Sequence, residues 1–124
     1  MSPLKRSTES MRTNATGYML TAESMQWMWS LYVGSEDDFT NPYAAPRFAA
    51  DLAGVAPALV ITAEFDPLRD EGEAYAATLA EAGIDAAAVR YLGVTHGFFG
   101  WSHAVAPSRA LIDHASAWLR TLLA

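Results

Sequence analysis

The sequence predicts an α/β protein in which two parallel strands lie side by side with helices beside them. A short apolar, β-branched run at residues 57–65 is typical of a strand that is buried on both faces of a parallel sheet. A second strand-like run, residues 87–92, follows after a segment long enough for a helix, and another helical pattern closes the chain. The order of strand, helix, strand and helix is typical of the α/β class.

Composition limits the classes of protein to which the chain can belong. With 124 residues, of which 52% are apolar, it has room for one domain at most and a modest core. The formal net charge is -6 and the basic cluster is limited to Lys5 and Arg6, which argues against binding to nucleic acids or anionic membranes. The absence of cysteine excludes disulfides, thiolate catalysis and cysteine-ligated zinc.

No segment has the length and hydrophobicity of a signal peptide or of a membrane-spanning helix. The first twenty residues lack an apolar core, and no apolar run approaches the roughly 18–20 residues that a bilayer requires. We therefore expect a cytoplasmic protein without a membrane span. We expect a single partial domain over residues 1–124, with a loose arm (1–20), a helix followed by an irregular segment (21–56) and the part that contains the strands (57–124).

The amino-terminal third is predicted to contain one helix. Residues 1–17 are polar and lack periodicity, which indicates a loop or a loose arm. Thr21 is placed as a helix N-cap, with Glu23 in the first turn, where a negative charge suits the helix dipole. Four large apolar residues then recur at helical spacing and form one face: Met25, Met28, Trp29 and Tyr32. This stripe could line an acyl pocket, but packing is the favoured interpretation.

Residues 35–57 contain many turn-forming residues and no periodic pattern. Asp37 and Asp38 in this segment could be mistaken for part of a metal site, but no histidine or further acid stands at ligand spacing. We interpret the pair as a solvated turn. No metal or cofactor site is predicted anywhere in the sequence.

The candidate site begins where the first strand ends. The strand stops at Asp66 because the next residue, Pro67, lacks an N–H and cannot continue it. Asp66 therefore lies on a turn at the carboxyl end of the strand, at the edge of an α/β sheet where sites are built. A predicted helix over residues 70–82 ends at Gly83 and leads to the second strand. A glycine-rich loop, residues 93–100, then carries His96 and precedes a final helix over residues 107–123.

Asp66 and His96 are the candidate catalytic residues. Neighbouring parallel strands bring the loops that follow them to one edge of the sheet, so the two side chains are expected within reach of each other. An acid that orients an imidazole is two-thirds of a Ser-His-Asp site. Each residue also has a purely structural interpretation, since Asp-Pro often caps a helix and His-Gly often makes a turn.

These residues lie in two motifs that resemble a known family. The run DPLRDEG at residues 66–72, followed by HGF at residues 96–98, is similar to the carboxyl-terminal part of the hormone-sensitive-lipase-like α/β-hydrolases, which are carboxylesterases and lipases. Residues 14–20 and 27–32 also resemble the segment before the acid strand of these enzymes. The resemblance implies the carboxyl-terminal part of an α/β-hydrolase fold, with Asp66 as the triad acid and His96 as the general base. It also covers Asp70 and Glu71, which we expect to support the turn and cap the helix.

The family pattern includes two motifs that these 124 residues lack. One is a serine in a Gly-x-Ser-x-Gly elbow and the other is a His-Gly-Gly-Gly-type oxyanion loop; both precede the acid, so we expect them upstream of Met1. The run GWSHA at residues 100–104 is close to the elbow pattern. However, Ser102 follows no apolar strand and comes after His96, which violates the order of serine, acid and histidine in this fold. We interpret Ser102 as a loop residue, and His103 and His114 as surface or packing histidines.

Two functional hypotheses remain open. In the first, the chain is a fragment of a carboxylic ester hydrolase: it supplies acid and base for hydrolysis of a small-molecule carboxylic ester, needs no cofactor, and is nearly inactive alone. In the second, it is a non-catalytic remnant or interaction module, because an unpaired strand edge invites pairing with a second copy or a partner chain.

Overall fold

The computed structural model describes residues 8–124, which form a two-stranded parallel sheet flanked by helices. Strand β1 is Ala58–Phe65 and strand β2 is Ala86–Thr95. Their register places Ala58 opposite Ala86 at the start of the sheet. The prediction of two parallel strands with flanking helices, a partial sheet of the α/β class, is confirmed.

The described residues form four α-helices, of which all but the first lie close to their predicted positions. In chain order they are α1 (Glu9–Thr13), α2 (Ala22–Tyr32), α3 (Arg69–Glu81) and α4 (Ala106–Leu123), and short 3₁₀ helices occupy Glu36–Thr40, Pro46–Phe48 and Phe98–Trp101. Both α3 and α4 begin one residue before the predicted start. Gly83, two residues past the end of α3, has a φ of 84°, the left-handed conformation expected of a glycine that ends a helix.

Each face of the sheet is covered by its own helix. Successive side chains of β1 point to opposite faces. Helix α3 packs on the face of Val60 and Thr62, where a Cβ added to Gly72 would lie 3.4 Å from Thr62 Cγ2 and 3.5 Å from Val60 Cγ1. On the other face, Ala63 belongs to the core cluster against which Leu111 of α4 packs. Gly72 therefore allows α3 to approach the sheet closely.

Strand β2 is longer than predicted, and the expected loop over residues 93–100 is wrong for its first three residues. The strand continues through Gly93 to Thr95. We predicted a loop because glycine usually interrupts a strand. Here Gly93 takes a φ of 72° and forms an irregularity within the strand, which then resumes.

The predicted loose arm over residues 1–20 is also wrong where the structure describes it; residues 1–7 lie outside the described part of the chain. Helix α1 begins after the N-cap Thr8, whose side chain accepts a hydrogen bond from the Met11 N–H. Ser10 is completely buried and Met11 is buried as well. The polar residues of this segment suggested solvent exposure, but their polar groups find partners in the turn that follows β1.

Helix α2 has the predicted cap, while its apolar face is less buried than predicted. The Thr21 hydroxyl accepts a 3.1 Å hydrogen bond from the Ser24 N–H. Met25 is buried, and the Trp29 ring contacts the Phe39 ring edge-on. The packing interpretation is wrong for two members of the stripe, since Met28 is 45% and Tyr32 is 67% exposed.

Two further expectations concern the pair of Asp37 and Asp38 and the presence of a membrane-spanning helix. The Asp38 carboxylate accepts hydrogen bonds from the N–H groups of Gly34 and Ser35, each at 2.9 Å, and so caps the 3₁₀ helix Glu36–Thr40. This contact agrees with the interpretation of the Asp37 and Asp38 pair as a turn. Among residues 8–124, none of the helices combines the length and the apolar character that crossing a bilayer would require.

Candidate active site

The two predicted site residues meet at the carboxyl edge of the sheet. Asp66 follows β1 directly, and His96 follows β2 directly. The Nδ1 atom of His96 lies 2.8 Å from the Oδ2 atom of Asp66. Thirty residues of sequence separate the pair, and the parallel pairing of the strands removes that separation. The structure thus brings together the acid and the imidazole.

The Asp66 carboxylate is buried and its orientation is determined by the turn. Its side chain is 8% exposed, and Oδ1 accepts a 2.8 Å hydrogen bond from the Leu68 N–H. The Asp66 carbonyl oxygen accepts from the Asn14 amide at 3.3 Å and from the Arg69 N–H at 3.2 Å. With Oδ1 bound within the turn, Oδ2 is directed to His96.

His96 is the more exposed partner of the pair, and its contact with Asp66 raises its pKa. Its side chain is 43% exposed. The hydrogen bond that the imidazole donates to Asp66 raises the pKa of His96 above the ordinary value of 6.5; partial burial opposes this change, and the negative charge of Asp66 reinforces it. Within residues 8–124, Nδ1 is the His96 nitrogen that has a hydrogen-bond partner. Nε2 is therefore left to accept a proton from a reacting group.

The loop that carries His96 is held by its neighbours in the chain. Gly97 has a φ of 75°, a left-handed conformation that turns the chain directly after His96. Phe98 is buried in the core cluster. Its carbonyl oxygen accepts a hydrogen bond from the hydroxyl of Ser108, a completely buried residue of α4.

Hydrogen bonds from helix α1 support the turn that contains Asp66. The Ser10 hydroxyl donates to the Pro67 carbonyl oxygen at 3.0 Å and accepts from the Asp70 N–H at 3.1 Å. The Ser10 N–H donates to Asp70 Oδ2 at 2.7 Å, and Arg69 Nε donates to Asp70 Oδ1 at 2.8 Å. Burial alone would raise the pKa of Asp70, but the hydrogen bonds from Ser10 and Arg69 outweigh it and lower the pKa below 3.8.

Two roles were expected of Asp70 and Glu71, support of the turn and capping of the helix, and only the first is found, for Asp70. Asp70 supports the turn through Ser10, as expected. The helix-capping role expected of these acids is wrong, because α3 has no side-chain hydrogen bond at its N-cap. Glu71 instead pairs with Arg47 at 3.1 Å, across the groove between α3 and the 3₁₀ helix Pro46–Phe48.

Sequence reasoning missed three residues that support the site: Ser10, Asn14 and Glu64. Ser10 and Asn14 contact the turn from more than fifty positions away in the sequence. Glu64 accepts a 2.7 Å hydrogen bond from the Gly93 N–H next to the His96 loop. A serine, an asparagine and a glutamate in these contexts give no local signal of a buried or bridging role.

A cavity of about 260 Å³ adjoins Asp66 and His96. Its remaining lining is mostly apolar: Ile61, Ala63, Gly97, Phe98, Phe99 and Leu111. A larger cavity of about 320 Å³ lies mainly between residues 44–47 and α3, and it includes neither member of the pair. Met28 and Tyr32 of the α2 stripe line a third cavity that is also separate from the pair. Of these three cavities, the one of about 260 Å³ adjoins His96.

The other polar candidates lie apart from this arrangement. Ser102 follows the 3₁₀ helix Phe98–Trp101 rather than a strand, and its carbonyl oxygen accepts from Arg109 at 3.1 Å. The Nδ1 atom of His114 lies 3.5 Å from the Tyr91 hydroxyl on the α4 side of the sheet. The part of the chain that the structure describes contains no group of three or more His, Asp or Glu side chains able to hold a metal ion.

The chain is similar in sequence to ester hydrolases of the α/β-hydrolase fold. The sequence model of a family described as alpha/beta hydrolase fold matches residues 1–100. The carboxylic ester hydrolase LipN of Mycobacterium tuberculosis (strain ATCC 25618 / H37Rv) is 46% identical over 93 residues, which are 73% of this chain and 24% of LipN. An arylesterase of Saccharolobus solfataricus is 39% identical over 98 residues, which are 78% of this chain and 32% of that enzyme.

The fold comparison agrees with the sequence comparison. The structure of a hyperthermophilic esterase from the archaeon Pyrobaculum calidifontis superposes with a TM-score of 0.87 and 40% sequence identity, over 99% of this chain and 40% of the esterase. The chain thus spans about a quarter to a third of the length of the curated relatives named above.

Proposed function

We infer the function of this chain from its family: it belongs to the α/β-hydrolases, in the hormone-sensitive-lipase-like group of carboxylesterases and lipases. We propose that it supplies the acid and the base of a Ser-His-Asp carboxylic ester hydrolase, with Asp66 as the acid and His96 as the base. The observation that carries the proposal is the 2.8 Å contact between His96 Nδ1 and Asp66 Oδ2, which leaves Nε2 for proton transfer.

The chemistry follows from this arrangement. Nε2 of His96 takes the proton of a serine hydroxyl while the serine oxygen bonds to the ester carbonyl carbon. Asp66 holds the imidazole tautomer and stabilises the imidazolium that forms. The imidazolium then gives its proton to the departing alkoxide, leaving an acyl-enzyme. In the second half, His96 takes a proton from water, which attacks the acyl group, and returns it to the serine oxygen.

The Gly-x-Ser-x-Gly elbow that would carry the serine and the His-Gly-Gly-Gly-type loop that would supply oxyanion-hole donors are not among these 124 residues. They belong to parts of the hydrolase fold that this chain does not include, as its limited coverage of its relatives suggests. Removal of one oxyanion-hole donor costs on the order of 10²–10³ in rate, and loss of the nucleophile costs more. The chain by itself is therefore nearly inactive as an esterase.

The substrate class is a small-molecule carboxylic ester. The relatives' names, a carboxylic ester hydrolase and an arylesterase, support this class. The cavity of about 260 Å³ beside His96 is lined mostly by apolar side chains, which suits the apolar part of an ester. The proposed steps use acid–base and nucleophilic chemistry throughout. The cytoplasmic location of the protein stays a prediction from its sequence.

Complementation tests the proposal. The 124-residue chain is mixed or co-expressed with the amino-terminal part of a related esterase that carries the nucleophile elbow, and hydrolysis of a short p-nitrophenyl ester is followed. We expect turnover only from the mixture, with loss of activity in His96→Ala and in Asp66→Ala. Robust turnover by the chain alone that survives Ser102→Ala but is lost in His96→Ala would overturn the proposal that the nucleophile comes from elsewhere.

A second candidate function is an interaction module that associates through its sheet. Residues 8–124 contain two strands, each with one edge that is unpaired within this region. Large apolar side chains are also exposed, among them Leu92 on β2. Unpaired edges and exposed apolar surface invite a second copy or a partner chain. Size-exclusion chromatography with binding of a hydrophobic dye tests this candidate, and a monomer that binds no dye would exclude it.

A further inference from the structure

The pairing of the two strands changes register just before the candidate site. From Ala58 to Ala63, each β1 residue lies opposite a β2 residue 28 positions later, as Ala63 does with Tyr91. At the end of the sheet the offset is 30, because Phe65 lies opposite Thr95. Three residues of β2, Leu92 to Val94, thus lie opposite Glu64 alone. This is a bulge of two extra residues.

The bulge determines which residue lies opposite Asp66. With the final offset of 30, the next position along the strands pairs Asp66 with His96. Had the initial offset of 28 continued, Asp66 would lie opposite Val94 and His96 would lie two residues farther along. Two strand residues correspond to about 7 Å. A displacement of that size would abolish the 2.8 Å contact between His96 Nδ1 and Asp66 Oδ2.

Two features hold the bulge in place. Gly93 has a φ of 72°, a conformation that glycine adopts without strain. Its N–H donates a 2.7 Å hydrogen bond to Glu64 Oε2, so a side chain of β1 replaces the backbone partner that the bulge removes. Glu64 is itself tied to the start of α3, because its carbonyl oxygen accepts a 3.0 Å hydrogen bond from Arg69 Nη1.

We propose that Glu64 is a positioning residue whose carboxylate holds the bulge at Gly93 and thereby sets the strand register that places His96 opposite Asp66. The inference rests on the proposed function for its catalytic meaning, whereas the register can be measured without any esterase activity. It predicts that the feature required at position 64 is a hydrogen-bond acceptor on a side chain of this length, and that the negative charge is dispensable.

The experiment compares two substitutions of similar length that differ in the acceptor. Glu64→Gln removes the charge and keeps a carbonyl acceptor, and Glu64→Met removes both. Glu64→Ala is a second variant without an acceptor. Glu73→Ala is the matched control, because Glu73 is another carboxylate that bridges the two strands, through Thr62 and Arg90, but does not contact the bulge. Far-UV circular dichroism verifies the fold of each variant.

Two measurements on the labelled 124-residue chain report the register. The first is the pKa of the His96 imidazole from an NMR pH titration, since Asp66 is the carboxylate in contact with it. The second is amide hydrogen exchange of the Gly93 N–H. We expect Glu64→Gln and Glu73→Ala to keep the raised pKa of His96 and the protection of Gly93. In Glu64→Met and Glu64→Ala, the pKa returns toward its ordinary value and the Gly93 amide exchanges about tenfold faster or more.

The outcomes separate this inference from the proposed function. A wild-type chain in which the pKa of His96 is not raised would mean that the pair does not form, which contradicts both. A raised wild-type pKa that Glu64→Met and Glu64→Ala leave unchanged overturns the role of Glu64 alone. A fall in Glu64→Gln equal to that in Glu64→Met would assign the effect to charge, and the inference would then be wrong.

Discussion

Ser10 offers the sharpest test of the support beneath the candidate site. Its side chain is completely buried, and its hydroxyl has a donor and an acceptor role in the Asp66 turn. Ser10→Ala removes both contacts and leaves the Pro67 carbonyl oxygen and the Asp70 N–H without these partners. The Ser10 N–H keeps its 2.7 Å hydrogen bond to Asp70 Oδ2, so the substitution isolates the hydroxyl.

The expected loss of stability follows from the two contacts. A hydrogen bond contributes about 0.5–1.5 kcal/mol net, and a buried polar group that loses its partner costs about 1–3 kcal/mol. Because two main-chain groups lose a partner in one turn, we expect the free energy of unfolding to fall by about 2–3 kcal/mol. With a urea slope of about 1–3 kcal/mol per M, the midpoint should fall by roughly 0.7–3 M.

Urea denaturation followed by circular dichroism measures the change. Thr13→Ala is the matched control, since Thr13 lies in the same helix and its exposed hydroxyl donates to the Glu9 carbonyl oxygen at 3.0 Å. A surface change of this kind should alter stability by less than about 0.5 kcal/mol. If Ser10→Ala costs no more than Thr13→Ala, the Ser10 hydroxyl does not stabilise the turn.

Three further predictions concern charge. Because the pKa of His96 is raised above 6.5, its protonated pair with Asp66 stabilises the folded state fully below about pH 6.5, and this contribution is lost as the pH rises through the higher folded-state value. The difference in unfolding free energy between wild type and His96→Gln should therefore shrink over that interval. A difference that does not change with pH would contradict the pairing of His96 with Asp66. The hydrogen bond from Arg90 lowers the pKa of Glu73 below 4.5; burial opposes this change and the hydrogen bond from Thr62 assists it. Glu73 therefore contributes to the free energy of unfolding above that pH, and this contribution is lost on acidification. Glu73→Gln should flatten this part of an acid-unfolding curve. In the complemented esterase, Asp66→Asn should lower kcat by about 10⁴ with KM little changed, and kinetics equal to those of the wild type would remove the acid from the mechanism. Wild-type activity should rise with pH through the raised pKa of His96.

Local patterns were sufficient to predict the central part of the fold and the pair of candidate residues. A short β-branched apolar run favours a strand, and Pro67 forces the turn that presents Asp66. Once two such strands are parallel neighbours, their carboxyl ends share an edge, so the loops that carry Asp66 and His96 lie at the same edge of the sheet. Residue type and order along the chain carry all of this information.

Other features were decided only when the chain packed. A buried serine in α1 has the same local appearance as one in a solvated arm, and its burial depends on a turn 57 residues away. The stripe on α2 shows the opposite case, because an apolar residue such as Tyr32 is exposed unless another surface covers it. Gly93 predicted the end of a strand, whereas a carboxylate on the neighbouring strand converts it into a bulge. Amino-acid order therefore determined which groups are available for chemistry. Long-range hydrogen bonding and burial decided the strand register and the placement of these groups, because those contacts join residues that are distant in the chain.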